Sequence, residues 1–165
     1  AAPFSSIRGR GKGSVYEGGI RVPLIVQWPD EVLPGSTSDH PGAFYDLFPT
    51  ICELAGIKTE VETDGLSLLP VFRGSEYSSP HVFLYWEYPA SGGQQAVRMD
   101  NWKGIRRNMF KGNLDIELYD LSSDIKETRN VAAENPGIVK KIERIMNEEH
   151  EPSEVERFKF EILED

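Results

Sequence analysis

The run from Gly9 to Pro23 (GRGKGSVYEGGIRVP) constrains this chain more than any other stretch. Five glycines, at 9, 11, 13, 18 and 19, surround Lys12 and lead into the apolar segment Ile20 to Trp28. Glycine lets a backbone take positive φ and approach other groups closely. The pattern predicts loop over residues 1–19, then a short buried strand over 20–28 with Pro23 at its start or edge. A lysine between glycines, beside backbone N–H groups able to form a nest, can present its ammonium to an anion. Known phosphate loops do not fit. A P-loop would need glycine where Ser6 stands, and Gly13 follows the lysine. A dinucleotide fingerprint begun at Gly9 would need glycine where Ser14 stands. Spacing alone leaves a glycine-rich loop with one lysine, which can equally be an ordinary solvated turn.

The 165 residues suffice for one ordinary domain or two small ones, and 39% hydrophobic with 27% charged residues permits a packed core. A net charge of −9 argues against nucleic acid as a partner, despite local basic clusters at Arg8/Arg10/Lys12 and Lys103/Arg106/Arg107. The single cysteine, Cys52, excludes an internal disulfide framework, and its place in an apolar helical pattern reads as a small buried hydrophobe. The opening Ala1-Ala2-Pro3-Phe4 has no initiator methionine or signal segment and reads as the interior of a longer protein. Nothing is long and apolar enough to span a membrane.

Downstream, Asp46 as N-cap, Pro49 in the first turn, the apolar spacing of Leu47, Phe48, Ile51, Leu54 and Ala55, and Gly56 as stop predict a helix. Asp64 to Pro70 is a turn into a short apolar segment, and residues 74–80 resemble a boundary. Strands are predicted at Val82–Trp86, Gln95–Met99, Trp102–Arg106 and Ile116–Leu121, the middle two joined by an Asp100-Asn101 hairpin turn. A second helix begins with Asn135 as cap and Pro136 at its first position. Ile138, Val139, Ile142, Ile145 and Met146 form its apolar stripe, opposite Lys140, Glu143, Arg144 and Glu148. The alternation of Phe158, Phe160 and Ile162 fits a terminal strand or a docking tail. Tyr85, Trp86 and Tyr88 read as core aromatics, with a sugar-lining role as the alternative. His40, His81 and His150 lack metal-ligand spacing, and His150 suits a helix C-terminus. The expected fold class is α+β: a small subdomain of about four antiparallel strands with one packed helix, preceded by the edge of a larger α/β domain.

Residues 11 to 23 match the Gly-Lys-Gly-Ser/Thr-x-x-Glu-Gly-Gly-x-Arg-x-Pro run of the sulfatase family, within the alkaline phosphatase-like superfamily. Four further segments resemble that family in order: Asp46 to Thr50 ending in Leu54-Ala55-Gly56; Asp64 to Pro70; Val97-Arg98 through Trp102-Lys103; and Glu117 to Leu121 followed by Asp124, Glu127 and Asn130. The resemblance implies that Lys12 contacts the substrate sulfate and serves catalysis. Arg10 is a second candidate for substrate binding, with a solvated side chain as its plainer reading. Glu17 and Arg21 are expected to pair internally and fix the loop.

The resemblance also implies a formylglycine nucleophile that attacks sulfur and a calcium-type divalent ion, but this chain lacks residues for either. Cys52 and Ser78 both fail the Cys/Ser-x-Pro-x-Arg pattern, residues 1–8 hold no carboxylate or amide, and Asp100-Asn101 reads as a turn. No metal ligand is therefore assigned. The expectation is a C-terminal portion of a sulfatase. Residues 1–74 would end the catalytic α/β domain and residues 75–165 would form the C-terminal subdomain. Its substrate would be a sulfated small molecule, sugar or glycan, its partner the N-terminal remainder of the same protein, and its location periplasmic, secreted or lysosomal. Alone the chain is expected to be inactive, with self-association covering its unpartnered apolar segments. The alternatives are a non-catalytic module binding anionic sugars or acting as a scaffold, and a phosphoester hydrolase of the same superfamily.

Overall fold

A computed structural model describes residues 11–58, 60–75 and 81–163. These residues group into two compact units, residues 11–22 with 83–163, and residues 23–82. The glycine-rich segment belongs to the first unit, where Val15 and Tyr16 pack against the sheet.

The first unit is an antiparallel meander of β1 (Leu84–Tyr88), β2 (Gln94–Met99), β3 (Trp102–Arg107) and β4 (Ile116–Asp120), in that spatial order. The β2–β3 hairpin turns through Asp100-Asn101, with Asp100 in the left-handed region at φ 53°. Aspartate tolerates that conformation better than most residues. The register places Tyr85, Val97, Gly104 and Leu118 in one row across the sheet, and Trp86, Ala96, Ile105 and Glu117 in the next. Successive side chains point to opposite faces, so these rows define two faces.

The first face receives a helix from late in the chain, the longer counterpart of three short ones before it. With α1 at Glu17–Ile20, α2 at Leu47–Leu54 and α3 at Leu69–Phe72, that counterpart is α4, Pro136–Glu148. Ile142, Ile145 and Met146 of α4 bury against Val97, Ile116 and Leu118, with Ile138 and Val139 at the margin. Each such buried side chain contributes about 1.5–3 kcal/mol. Lys140, Glu143, Arg144 and Glu148 face solvent, as the stripe predicts. Pro136 opens the helix. Asn135 stands at the N-cap position, but its side chain makes no cap hydrogen bond. Its amide donates to the Val131 carbonyl at 3.0 Å instead. The second face carries Ala96, Ile105, Tyr119 and Leu121, covered by Val15 and Tyr16 from the glycine-rich segment and flanked by Trp86 and Ile125. The C-terminal segment forms two 3₁₀ turns rather than a strand. Phe160 is buried beside His150 and Phe110, so the segment docks through one aromatic anchor.

In the second unit a 3₁₀ turn, Phe44–Asp46, runs directly into α2. Asp46 stands at the N-cap position of α2, but its side chain makes no cap hydrogen bond to that helix. Its fully buried carboxylate accepts the Ala43 and Leu66 N–H groups at 2.7 and 2.9 Å and lies 2.8 Å from His81 Nε2. Thr50 donates to the Asp46 carbonyl and accepts the Leu68 N–H. The Asp46–Thr50 and Asp64–Pro70 motifs, separate in sequence, are thus one hydrogen-bonded structure. Gly65 is required there, since a Cβ would lie 2.2 Å from the Tyr45 carbonyl oxygen.

The buried strand expected over 20–28 does not form. Ile20 ends α1, residues 21–28 have no regular structure, and Val22, Leu24 and Ile25 are exposed. A strand exists only through ladder hydrogen bonds to a neighbour, and no described strand pairs with this segment. Cys52 is half-buried rather than fully buried.

Truncating Ile142 to alanine should lower stability by about 2–5 kcal/mol, because its side chain is fully buried in the helix–sheet core. Urea unfolding of the variant beside the parent chain checks this.

Candidate functional site

Residues 11–22 form an arm that turns at Lys12-Gly13 and runs into α1. Ser14 Oγ donates to the Gly11 carbonyl at 2.8 Å, and Gly13 turns the chain at φ 86°. The chain then winds into the single turn α1, with the Gly19 and Ile20 N–H groups both donating to the Tyr16 carbonyl. A Cβ on Gly19 would sit 2.1 Å from the Ser14 carbonyl oxygen, so the close return of the arm on itself admits only glycine.

The sheet holds this arm from below. Val15 and Tyr16 are buried. Gln94 of β2 accepts the Val15 N–H at 3.3 Å and donates to the Gly13 carbonyl at 3.4 Å, bracketing Ser14. The Tyr16 hydroxyl donates to Glu117 of β4, which also accepts from Tyr119 and from Arg107. The Arg107 guanidinium lies 5.4 Å over the Tyr16 ring. Burial pushes the Glu117 carboxyl up, but donation from Tyr119, Tyr16 and Arg107 outweighs it, and the group lies below the usual carboxylate range.

Beneath α1 lies a buried charge cluster. Lys103 Nζ, fully buried on β3, is 2.7 Å from Glu17 Oε1 and 3.3 Å from Glu127 Oε1. Glu127 Oε2 accepts the Glu17 N–H at 2.7 Å, and Arg21 Nη1 reaches Glu17 Oε2 at 3.1 Å. The expected Glu17–Arg21 pair is present, then, but Lys103 is the shorter and more buried partner. Burial raises both carboxyls. For Glu17, attraction and hydrogen bonding from Lys103, with Arg21 added, reverse the balance and lower it. For Glu127 burial prevails, helped by repulsion from Glu17, and it stays raised. One ammonium serving two carboxylates cannot fully satisfy both, and the more richly donated Glu17 carries the firmer negative charge.

Lys12 itself is exposed, in contrast to residues 14–17 immediately after it, which are all buried. Tyr88 and Ser91 border its loop: a side-chain carbon on Gly13 would lie 3.8 Å from Ser91 Oγ and 4.0 Å from the Tyr88 hydroxyl. Arg10, the other candidate for substrate binding, lies outside the described residues. Lys103, Arg106 and Arg107, a basic cluster in sequence, are not a surface patch. Lys103 and Arg107 serve the arm, and Arg106 is buried on the opposite face against Gln95, Asn147 and the Leu114 carbonyl. His150 lies 2.6 Å from Glu87 rather than acting only at a helix end. Among the described residues, no group of three or more His, Cys, Asp or Glu side chains can hold a metal ion. The donor set for a divalent ion is therefore not found in them.

Sequence reasoning did not anticipate Gln94, Lys103, Glu117 and Glu127 as the arm's supports. Strand alternation places Gln94, Lys103 and Glu117 on the Ile105 face, but nothing in a linear sequence ties them to residues 13–17. Replacing Lys103 with methionine should destabilise the fold by about 3–5 kcal/mol at neutral pH, since it strands two buried carboxylates. The wild type loses the Glu17 contribution as pH falls through that group's lowered value. In the variant both carboxyls shift upward and become neutral sooner, so the gap between the two proteins should narrow at about pH 4. Urea unfolding at both pH values reads this out.

Residues 11–154 match the family described as N-sulphoglucosamine sulphohydrolase, C-terminal. Mouse (Mus musculus) steryl-sulfatase is 39% identical over 102 residues, 61% of this chain and 16% of that protein. The crystal structure of Ps i-CgsB superposes with a TM-score of 0.70 at 34% identity, covering 84% of this chain and 30% of that one. BT4656, solved with its substrate D-glucosamine-2-N,6-O-disulfate, superposes at 0.68 with 28% identity, covering 81% of this chain and 29% of that one. The chain thus spans less than a third of the length of these relatives. The exposed lysine on a sheet-anchored glycine arm, the four-stranded meander with its single packed helix, and these matches together establish that the chain belongs to the sulfatases, in the N-sulphoglucosamine sulphohydrolase C-terminal family.

Proposed function

We propose that this chain is the C-terminal part of a sulfatase that hydrolyses sulfate esters of sulfated sugars or glycans, and that Lys12 is its contact to the sulfate. The observation carrying this reading is the contrast along the arm. Residues 14–17 are buried and tied to the sheet, while Lys12, in the turn before them, is exposed and bounded by two glycines. An ammonium held in that way would lie against sulfate oxygens and stabilise the charge that builds on them as the ester bond breaks. Arg10 would add attraction for the same anion. The sugar class is supported by the family description and by the substrate bound to BT4656.

The formylglycine and divalent ion of a sulfatase would come from the N-terminal remainder of the whole protein, which is also the proposed partner of this chain. Val22, Leu24, Ile25 and Phe44 are exposed, and in the whole protein that remainder would cover them. In its absence, self-association would do so. The boundary between catalytic domain and C-terminal subdomain is proposed near residue 74. The compartment would be periplasmic, secreted or lysosomal. No helix among the described residues is long and apolar enough to cross a membrane.

Two outcomes test the reading. The purified 165-residue chain, supplied with calcium, should not turn over an aryl sulfate; turnover would refute the division of labour. In the full-length natural protein, Lys12→Ala should lower kcat/KM for a sulfate ester by about 100-fold with the fold intact, a typical loss for one oxyanion-stabilising donor. No change in activity would favour the scaffold or anionic-sugar-binding alternative, and preference for a phosphoester would favour the phosphoester hydrolase alternative.

A further inference from the structure

We infer that Gln94 and Lys103 are positioning residues for Lys12, acting through the backbone of Gly13 and Val15 and through Glu17; this rests on the proposed role of Lys12. Gln94 holds the two peptide groups that bracket Ser14, one of them belonging to the residue next to Lys12. Lys103 holds Glu17 at 2.7 Å, and Glu127 holds the Glu17 N–H at the same distance, so α1 is pinned by both its side chain and its backbone.

The arrangement exceeds what packing of the sheet requires. Val15 and Tyr16 already cover the apolar face. A buried lysine with two carboxylates adds desolvation that apolar residues of the same size would not incur. Glu127 also sits in the left-handed region at φ 54°, a conformation that disfavours a non-glycine residue. It is kept there by a turn in which Asp124 accepts the Thr128 and Arg129 N–H groups. Charged hydrogen bonds impose direction where apolar contact does not, and a reacting anion needs its cation held to within a fraction of an ångström. The polar clamp therefore fixes the arm's orientation, and with it the base from which the Lys12 side chain extends.

The test is a double-mutant cycle in the full-length natural protein. Lys12→Ala, Lys103→Met, Gln94→Met and the two pairs with Lys12→Ala are compared by calorimetric Kd for inorganic sulfate and by kcat/KM for 4-nitrophenyl sulfate. Thermal melting confirms that each protein is folded. With Lys12 present, Gln94→Met and Lys103→Met should each weaken both quantities by about tenfold. In the Lys12→Ala background the same changes should move them by less than about twofold, because their effect runs through a side chain already removed. Lys103→Arg, which keeps the charge, should recover part of the loss. If Lys103→Met does not fold, the Gln94 cycle alone decides. Equal losses in both backgrounds would overturn the inference and leave Lys12 as the sulfate contact. A Lys12→Ala protein indistinguishable from wild type would overturn both.

Discussion

The structure of the larger unit turns on one buried ammonium. Lys103 Nζ lies between Glu17 and Glu127, with all three side chains at or below 4% exposure. Removing three charges from water is unfavourable unless geometry and further hydrogen bonds repay it. Here Glu17 gains Arg21, and Glu127 gains the Glu17 N–H. The cluster joins three places far apart in the chain: the glycine arm, the middle of the sheet and the turn after β4. Apolar contact alone would bring these together, but it would not choose one orientation of the arm.

The two faces of the sheet divide the work by chemistry. The α4 face is apolar at its centre, where Ile142 and Met146 meet Val97 and Leu118. Its margin is a polar network in which Gln95 donates to Tyr85 and Glu87, His150 approaches Glu87, and Arg106 reaches Gln95 and Asn147. Burial and the neighbouring Glu87 push the Tyr85 phenol well above its ordinary range, so it remains a donor. The opposite face is mixed throughout. Glu117, Lys103, Arg107 and Gln94 sit among Ala96, Ile105 and Tyr119 and address the arm. The polar groups on one face close the structure around a helix end, while those on the other support the candidate sulfate contact.

How far the sequence could be read depended on how local each signal was. The Asp100-Asn101 hairpin was legible because the turn and its flanking strands lie within residues 94–107. So was α4, whose stripe repeats at the helical period and meets a sheet that shows the complementary face. The segment 20–28 was misleading for the same reason in reverse. Its apolar run specifies a partner surface, and a strand without a paired neighbour has no ladder to hold it. Asp46 looked like a helix cap, yet its carboxylate is drawn to Ala43, Leu66 and His81. Two of these partners, Leu66 and His81, lie 20 and 35 positions away, which no local capping rule can weigh.

The sequence by itself determined the family, through five motifs in order, and with it the α+β class, the hairpin, the packed helix and the choice of Lys12 as the residue to watch. These follow from local propensity, short-range periodicity and motif spacing, all of which are written along the chain. Only the tertiary structure decided what supports Lys12: that Gln94 brackets Ser14, that a lysine 86 positions from Glu17 neutralises it, and that Glu127 closes the cluster. Such partners are chosen by strand register and by the cost of burying a charge alone, and both come into being only when distant segments meet.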